Sequence, residues 1–202
     1  MKRKTKKESQ EVHFIIDPQE IMKEMGPPKT AKRMDRIIYI VGNLDENLAK
    51  DINERLLDYQ SDAPLKEITL ILDCYGGEVD SMFSVTDMMN IIVSPIRTIC
   101  IGKAMSAAAF IFINGKKGRR FMTPHSRLMF HQISSWHGGT LADVVIDTEE
   151  IKFLQGQMIE EIASRCKLSA EDVTKLIDRN KYLRPEEAIK LGMCDGIVKR
   201  LS

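Results

Sequence analysis

The fold is decided by the stretch Ile99-Cys100-Ile101-Gly102-Lys103-Ala104-Met105-Ser106-Ala107-Ala108-Ala109-Phe110. This stretch predicts an apolar strand that ends at Gly102 and an alanine-rich helix that begins at Ser106. The first turn of a helix offers backbone N–H groups without partners and a dipole that favours negative charge, so a hydroxyl there suits a nucleophile. A serine in this position is more often an ordinary N-cap. A catalytic Ser106 therefore requires partners from other parts of the chain.

Strands alternate with helices along the chain around this stretch. Apolar runs predict strands at 37–41, 68–72 and 96–101, with helices in the connections between them. Because these strands are apolar almost throughout, the pattern indicates an α/β fold with a parallel sheet that is covered on both faces. Ligands bind beyond the carboxyl ends of such strands, so we expect Gly76-Gly77 and Ser106 to meet at that edge.

The second half of the chain adds a histidine and a long helix. Short strands are predicted at 120–122 and 128–130, and the second ends at His131. A helical pattern with a broad apolar stripe extends over 140–165. If this helix projects from the domain, we expect the stripe to pack against another subunit. The stripe consists of Leu141, Val144, Val145, Thr148, Ile151, Leu154, Met158 and Ile162.

Length and charge restrict the classes of protein that fit. A chain of 202 residues fits one domain of ordinary size, about 100–200 residues. We expect that domain at 36–202, after an N-terminal arm at 1–35 that starts with a basic run. The net charge of +1 gives no sign of a nucleic-acid partner. No apolar segment reaches the ~18 residues of a membrane span, so we expect a soluble protein without a membrane partner, and the unpaired cysteines favour a cytoplasmic one.

Residue types that bind metals or nucleotides do not form motifs in this sequence. The four cysteines lack C-x-x-C spacing and are expected to be reduced. The four histidines lack ligand spacing with cysteines or carboxylates, so no metal is expected. The sequence has no G-x-x-x-x-G-K-S/T motif, so we expect no cofactor and no ATP bound by this chain.

Three motifs in order resemble the Clp protease family of proteolytic subunits. They are Gly76-Gly77, the turn from Gly102 to Ala107, and His131-Gln132. Ser106 lies 29 residues after Gly77 and 25 residues before His131, as in that family. The segment from Arg36 to Ala49 also looks like the family's first strand and turn. Each motif is weak alone, but the ordered set at these spacings is specific.

The resemblance implies a Clp/crotonase-type fold of repeated β-β-α units and peptide-bond hydrolysis through an acyl-enzyme. In that reaction Ser106 is the nucleophile and His131 is the general base, while the N–H groups of Gly77 and Ala107 hold the oxyanion. A glycine suits this position because no side chain separates its N–H from the oxyanion.

The third member of the implied triad departs from the family. Alignment of Lys181-Tyr182-Leu183 with the family's segment places Asn180 where an acid is usual. An asparagine can orient the imidazole but cannot stabilise its charged form, so this departure from the family leaves both full and attenuated activity open. Asp178 could supply the charge instead, although Asp178-Arg179 matches an acidic and basic pair that bridges two rings in the family. We therefore assign Asn180 as the orienting residue and Asp178 and Arg179 as assembly contacts.

The resemblance also implies partners. The helix at 140–165 would assemble two stacked heptameric rings, either of this chain alone or mixed with a paralogue, with Ser106 inside the chamber. Unfolded proteins would be the substrates, delivered by an AAA+ unfoldase that uses the ATP. That unfoldase would dock at a rim pocket near Leu57, Ile71, Ile91 and Phe121.

Three other functions fit parts of the same sequence. A weakly active or structural subunit of mixed rings would explain Asn180. A phage-type maturation protease would fit the unusual arm at 1–35. A crotonase-like acyl-CoA enzyme shares the two-N–H oxyanion hole, but it would need a glutamate or aspartate base and could dispense with Ser106.

Overall fold

The structure is a computed structural model, and it describes residues 36–136 and 138–200. The predicted arm at 1–35 lies outside the described residues. The strands are β1 (Ile37–Leu44), β2 (Ile68–Gly77), β3 (Ile96–Met105), β4 (Arg120–Met122), β5 (Arg127–Phe130), β6 (Lys181–Leu183) and β7 (Gly196–Ile197). The helices are α1 (Glu46–Asp62), α2 (Val79–Ile91), α3 (Ala107–Ile113), α4 (Leu141–Arg165), α5 (Ala170–Ile177) and α6 (Pro185–Lys190).

The described strands form one sheet, which confirms the predicted α/β class. β1, β2, β3, β4 and β7 lie side by side in that order and run parallel, as expected for strands that are joined by helices. β5 pairs with the carboxyl-terminal part of β3, and β6 pairs antiparallel with β5. The carboxyl ends of β2, β3 and β5 therefore meet at one edge of the sheet.

The predicted strands are too short at their carboxyl ends, because β1, β2 and β3 extend to Leu44, Gly77 and Met105. The ladder continues across register shifts, after which Leu44 pairs with Gly77 and Cys74 pairs with Ala104. Glycines inside strands often mark such bulges rather than strand ends. The extensions carry the backbone of all three strands to the edge of the sheet where the turns begin.

The core lies on one side of β1. Ile38 and Ile40 are fully buried, whereas Tyr39 and Val41, which alternate with them, are 49% and 55% exposed. The helices α1, α2 and α3 pack in a row against one another, α1 against β1 and α3 against β2 and β3. The expectation of a sheet covered on both faces is therefore wrong at β1 within the described part of the chain.

The long helix α4 divides into two parts. Its N-cap is Thr140, whose side chain accepts from the N–H of Asp143, and near its carboxyl end Met158 and Ile162 are buried in the core. The predicted assembly stripe is therefore wrong at these last positions, which pack within this chain. The apolar side chains that α4 does expose are Leu141, Val145, Ile146 and Phe153.

Arg120 and Asp195 form a buried ion pair beside the core. The Arg120 side chain is 2% exposed, and its Nε and Nη2 donate to both carboxylate oxygens of Asp195 at 3.0 and 2.8 Å. It also donates to the carbonyls of Arg165 and Gly192. Burial alone would raise the pKa of Asp195, but the hydrogen bonds and the charge of Arg120 outweigh burial and lower that pKa.

Arg120→Met should lower the free energy of unfolding by about 3–5 kcal/mol, because it leaves a partly buried carboxylate without its partner. Since the folded pKa of Asp195 lies below its unfolded value, the pair stabilises the protein fully above about pH 4 and loses this contribution as the pH falls further. In thermal melts over this acidic pH range, the melting temperature of the wild type should fall more steeply with decreasing pH than that of Arg120→Met.

The control Arg119→Met removes an exposed ion pair with Glu67 and should change stability by less than about 0.5 kcal/mol. Equal destabilisation by both substitutions would contradict the role given to Arg120.

Candidate active site

Ser106 occupies a strained turn between β3 and α3. Its backbone has φ 52° and ψ −124°, which residues with a side chain rarely adopt, and its N–H donates to the carbonyl of Met129 at 2.7 Å. Its side chain makes no capping hydrogen bond with α3. The interpretation of Ser106 as a side-chain N-cap is therefore wrong, since the hydroxyl does not satisfy the helix end. Strained residues of this kind cluster at functional sites.

The turn Gly76-Gly77 packs directly on the Ser106 turn. Gly76 has φ +99°, and a Cβ built there would lie 2.5 Å from the Met105 carbonyl oxygen and 2.7 Å from the Ser106 Cβ. A Cβ at Gly77 would lie 1.9 Å from the Leu44 carbonyl oxygen. Only glycine fits both positions, because a side chain at Gly76 would push the glycine turn away from the Ser106 turn, and one at Gly77 would push it away from β1.

His131 follows β5 and lies half-buried beside these turns. Its Nδ1 hydrogen-bonds with the carbonyl oxygen of Gln132 at 2.5 Å. A carbonyl oxygen can only accept, so Nδ1 carries the proton in this arrangement. The neutral imidazole then has an unprotonated Nε2, which is the form that a general base requires.

Four of the predicted site residues line one cavity of about 50 Å³: Gly77, Ser106, Ala107 and His131. Apolar side chains from α2, α3, β5 and α4 form the rest of its wall. They are Val79, Met82, Phe110, Phe130, Met158 and Ile162, and Gln132, Ile133 and Ser134 complete the lining. Sequence reasoning missed the apolar wall, although the stripe of the long helix already contained Met158 and Ile162.

Asn180 does not line the cavity. β5 and β6 pair antiparallel, and their last pair, Phe130 with Lys181, adjoins His131 and Asn180. The ladder ends there, and the Gln132 N–H donates to the Ile177 carbonyl. The Asn180 side chain is exposed, and within the described residues no hydrogen bond joins it to the imidazole, whose partner is the Gln132 carbonyl. The role of Asn180 as the orienting residue therefore stays a prediction.

The amino-acid sequence matches a known protein family. The model of the family described as Clp protease matches residues 28–201. The chain belongs to the Clp protease family. It is 32% identical over 164 residues to the ATP-dependent Clp protease proteolytic subunit of Deinococcus radiodurans, across 81% of this chain and 80% of that protein. The resemblance in the motifs is thus confirmed, and Clp protease membership supports a serine peptidase rather than an acyl-CoA enzyme.

Asp178 and Arg179 are exposed neighbours in this Clp protease. The Arg179 Nε lies 3.7 Å from an Asp178 carboxylate oxygen, and the side chains are 88% and 68% exposed for Arg179 and Asp178. The Asp178 backbone carbonyl accepts from the Gln132 side chain at 3.1 Å, which holds this segment beside the residue after His131. Their role as assembly contacts stays a prediction.

The thiols near the candidate site are not activated as nucleophiles. All four cysteines are free. Cys74 is close to the glycine turn, but it is fully buried and burial raises its pKa. Burial likewise raises the pKa of Cys100 to about 12. Since the thiolate is the reactive form, neither group is activated.

Two of the residues predicted near the rim pocket, Leu57 and Ile71, line different grooves of the single chain. Ile71 lines a groove with Ile99 and Val198, whereas Leu57 lines a different groove between α1 and α2. The rim pocket therefore stays a prediction.

The described ranges contain neither a metal-binding cluster nor a membrane-spanning helix. Residues 36–136 and 138–200 hold no group of three or more His, Cys, Asp or Glu side chains placed to bind a metal ion. The same part of this Clp protease has no helix that is both long and apolar enough to cross a bilayer.

Proposed function

We propose that this chain is a serine endopeptidase subunit that cleaves unfolded proteins inside a ring assembly. The observation that carries the proposal is the meeting of a strained Ser106, a histidine with its Nε2 available and a glycine turn around one cavity. Family membership supports the peptidase class.

In the proposed reaction, the Ser106 Oγ attacks the peptide carbonyl while the His131 Nε2 takes the hydroxyl proton. The N–H groups of Gly77 and Ala107 stabilise the negative oxygen of the tetrahedral intermediate. His131 then gives the proton to the leaving amine, which frees the first product and leaves an acyl-enzyme. A water molecule, deprotonated by His131, hydrolyses this ester and restores Ser106.

The cavity wall favours an apolar substrate side chain. Met82, Phe110 and Met158 present only carbon and sulfur atoms to the space beside Ser106. An apolar side chain preceding the cleaved bond would replace water there, whereas a charged side chain would lose its hydration without a partner. Peptides with leucine or methionine at that position are therefore the natural assay substrates.

Asn180 occupies the orienting position in this proposal. The Phe130–Lys181 pair, which adjoins both residues, supports this role, in which the Asn180 amide oxygen would accept from Nδ1–H in place of the Gln132 carbonyl. Either oxygen is uncharged, so the imidazolium formed during catalysis gains little stabilisation. Attenuated activity follows, and the same observation favours a second candidate function, a weakly active subunit of mixed rings with a paralogue.

The exposed part of α4 supports assembly. A projecting helix end with four exposed apolar side chains is a poor solvent surface and suits contact with another subunit. Stacked heptameric rings, with Asp178 and Arg179 at the contact between them, are the proposed arrangement. An AAA+ unfoldase that uses ATP is the proposed partner, because a chamber protease needs its substrates unfolded and delivered.

A fluorophosphonate should phosphonylate wild-type protein once per chain, and peptide mass mapping should place the adduct on Ser106. Ser106→Ala should abolish labelling, because fluorophosphonates react with activated serines. Ser134→Ala is the matched control, since Ser134 lines the same cavity and should remain dispensable. Native mass spectrometry reports the oligomer in each sample. Absence of labelling in well-formed rings would overturn the peptidase proposal and favour the structural subunit.

A further inference from the structure

We propose that Lys103, Asp73 and Tyr75, here called the Lys103 clamp, are positioning residues that hold the glycine turn and the Ser106 turn in catalytic register. The inference rests on the proposed peptidase function, in which both turns act on the same carbonyl. None of these three side chains is placed in contact with the substrate.

The Lys103 clamp lies where the main-chain ladder is interrupted. β2 and β3 pair at Leu72 with Cys100 and again at Cys74 with Ala104, so three residues of β3 lie opposite Asp73 alone. Gly102, in the middle of this bulge, has φ +62°, and a Cβ there would lie 2.9 Å from the Asp73 carboxylate. Bulges of this kind bend a strand and redirect the residues that follow it.

β3 also changes its other neighbour at this bulge. Before it, residues Thr98 to Cys100 pair with β4, and from Lys103 onward β3 pairs with β5. The β3 residues between Cys100 and Lys103 therefore lack a continuous hydrogen-bonded strand on either side. Both catalytic turns follow within a few residues, so a side-chain contact is needed to fix their relative position.

The side chains of the clamp span this interruption. The Lys103 Nζ donates to an Asp73 carboxylate oxygen at 2.8 Å, and it lies 4.0 Å from the centroid of the Tyr75 ring. The Lys103 side chain is 15% exposed and that of Asp73 is 38% exposed, so the ion pair is partly open to solvent, and its short distance rather than deep burial gives it its strength. Tyr75 immediately precedes Gly76, and Lys103 is three residues before Ser106. One ammonium group thus connects both turns.

The chemistry of Lys103 fits a positioning role rather than proton transfer. The hydrogen bond with Asp73 raises the pKa of Lys103, which keeps the ammonium protonated at neutral pH. A general base needs an unprotonated nitrogen, so the base remains His131. Displacement of a reacting group by about 1 Å can lower a rate 100-fold, which sets the scale for losing the clamp.

The experiment measures kcat and KM for a fluorogenic peptide with leucine before the cleaved bond, together with amide hydrogen exchange of residues 73–77 and 103–107 in the full chain. Lys103→Met and Asp73→Asn should each lower kcat about tenfold with KM within about twofold, and should speed exchange in both segments. The double variant should be no worse than either single one, because both remove the same contact. Lys103→Arg should keep at least half of the wild-type kcat.

Arg119→Met is the matched control, since the Arg119–Glu67 pair joins the same sheet at the opposite ends of the strands. It should change neither kcat nor exchange in the two segments. The clamp is refuted if Lys103→Met leaves kcat and exchange unchanged, or if Lys103→Arg is as slow as Lys103→Met. If the wild type shows no Ser106-dependent hydrolysis, the peptidase proposal fails. In that case the exchange data alone decide whether the clamp orders the two turns.

Discussion

Asn180→Asp should raise kcat for peptide hydrolysis at least about tenfold, with little change in KM. The substitution restores a negative charge beside His131, and this charge stabilises the imidazolium that forms when Ser106 attacks. Exchange of the acid for an amide in a serine protease lowers kcat by ~10⁴ when the wrong tautomer results, which sets the upper limit of the gain. Because the charge acts only once the proton has moved to His131, we expect the substitution to change kcat rather than KM.

The register of β5 and β6 is the structural reason to expect this gain. The last pair of this ladder, Phe130 with Lys181, adjoins His131 and residue 180. A carboxylate at residue 180 that reaches the imidazole would compete with the uncharged Gln132 carbonyl for the Nδ1 proton, because a hydrogen bond to an ionised acceptor is about twice as strong.

Asp178→Asn is the matched control, because it replaces an aspartate by an asparagine two residues away in the same segment. Its kcat should stay within about twofold of the wild type wherever the rings remain intact by native mass. If Asn180→Asp has no effect and Asp178→Asn abolishes hydrolysis in intact rings, the acid role belongs to Asp178. Stopped-flow or steady-state assays on both variants distinguish these outcomes.

Local patterns in the sequence predict the element order and the meeting of the catalytic turns. Asp45 illustrates why: an aspartate directly before an apolar helical pattern predicts a helix start, and its side chain accepts from the N–H of Leu48 at 2.8 Å, a contact between residues three apart. Ser106, Gly77 and His131 could be placed together because each follows a strand of one sheet. Contacts within a few residues, and the rule that parallel strand ends share an edge, are thus accessible from the amino-acid sequence.

Features that depend on distant partners could not be predicted in this way. Arginine is a residue type that is typical of protein surfaces. Arg120 is nevertheless buried, because Asp195, 75 residues later in the chain, neutralises its charge. The continuation of β2 to Gly77 depends on pairing with Leu44 of β1. The positive φ of Ser106 follows from the bulge and the approach of β5, which no pattern of residue types records. The sequence pattern thus missed the contacts whose two partners are far apart along the chain.

Gly76→Ala should lower kcat more than about 100-fold, and it should also reduce fluorophosphonate labelling of Ser106. Its Cβ would lie 2.5 Å from the Met105 carbonyl oxygen, 2.7 Å from the Ser106 Cβ and 3.0 Å from the Ala107 nitrogen. All three are backbone or Cβ atoms that cannot rotate away, so Ser106 and Ala107, the proposed nucleophile and oxyanion donor, must move together. Displacements of about 1 Å at reacting groups lower rates by this order.

Gly118→Ala separates this clash from backbone strain. Gly118 also has a positive φ, +86°, compared with +99° at Gly76, but a Cβ there meets no atom within 4 Å. Both substitutions impose a similar backbone cost of about 1 kcal/mol, so their thermal stabilities should fall by comparable amounts apart from the clash. Only Gly76→Ala should lose activity, because only that Cβ reaches the Ser106 turn. Comparable losses of kcat in both variants would show that strain alone inactivates the enzyme, and that the contact between the two turns does not set the catalytic geometry.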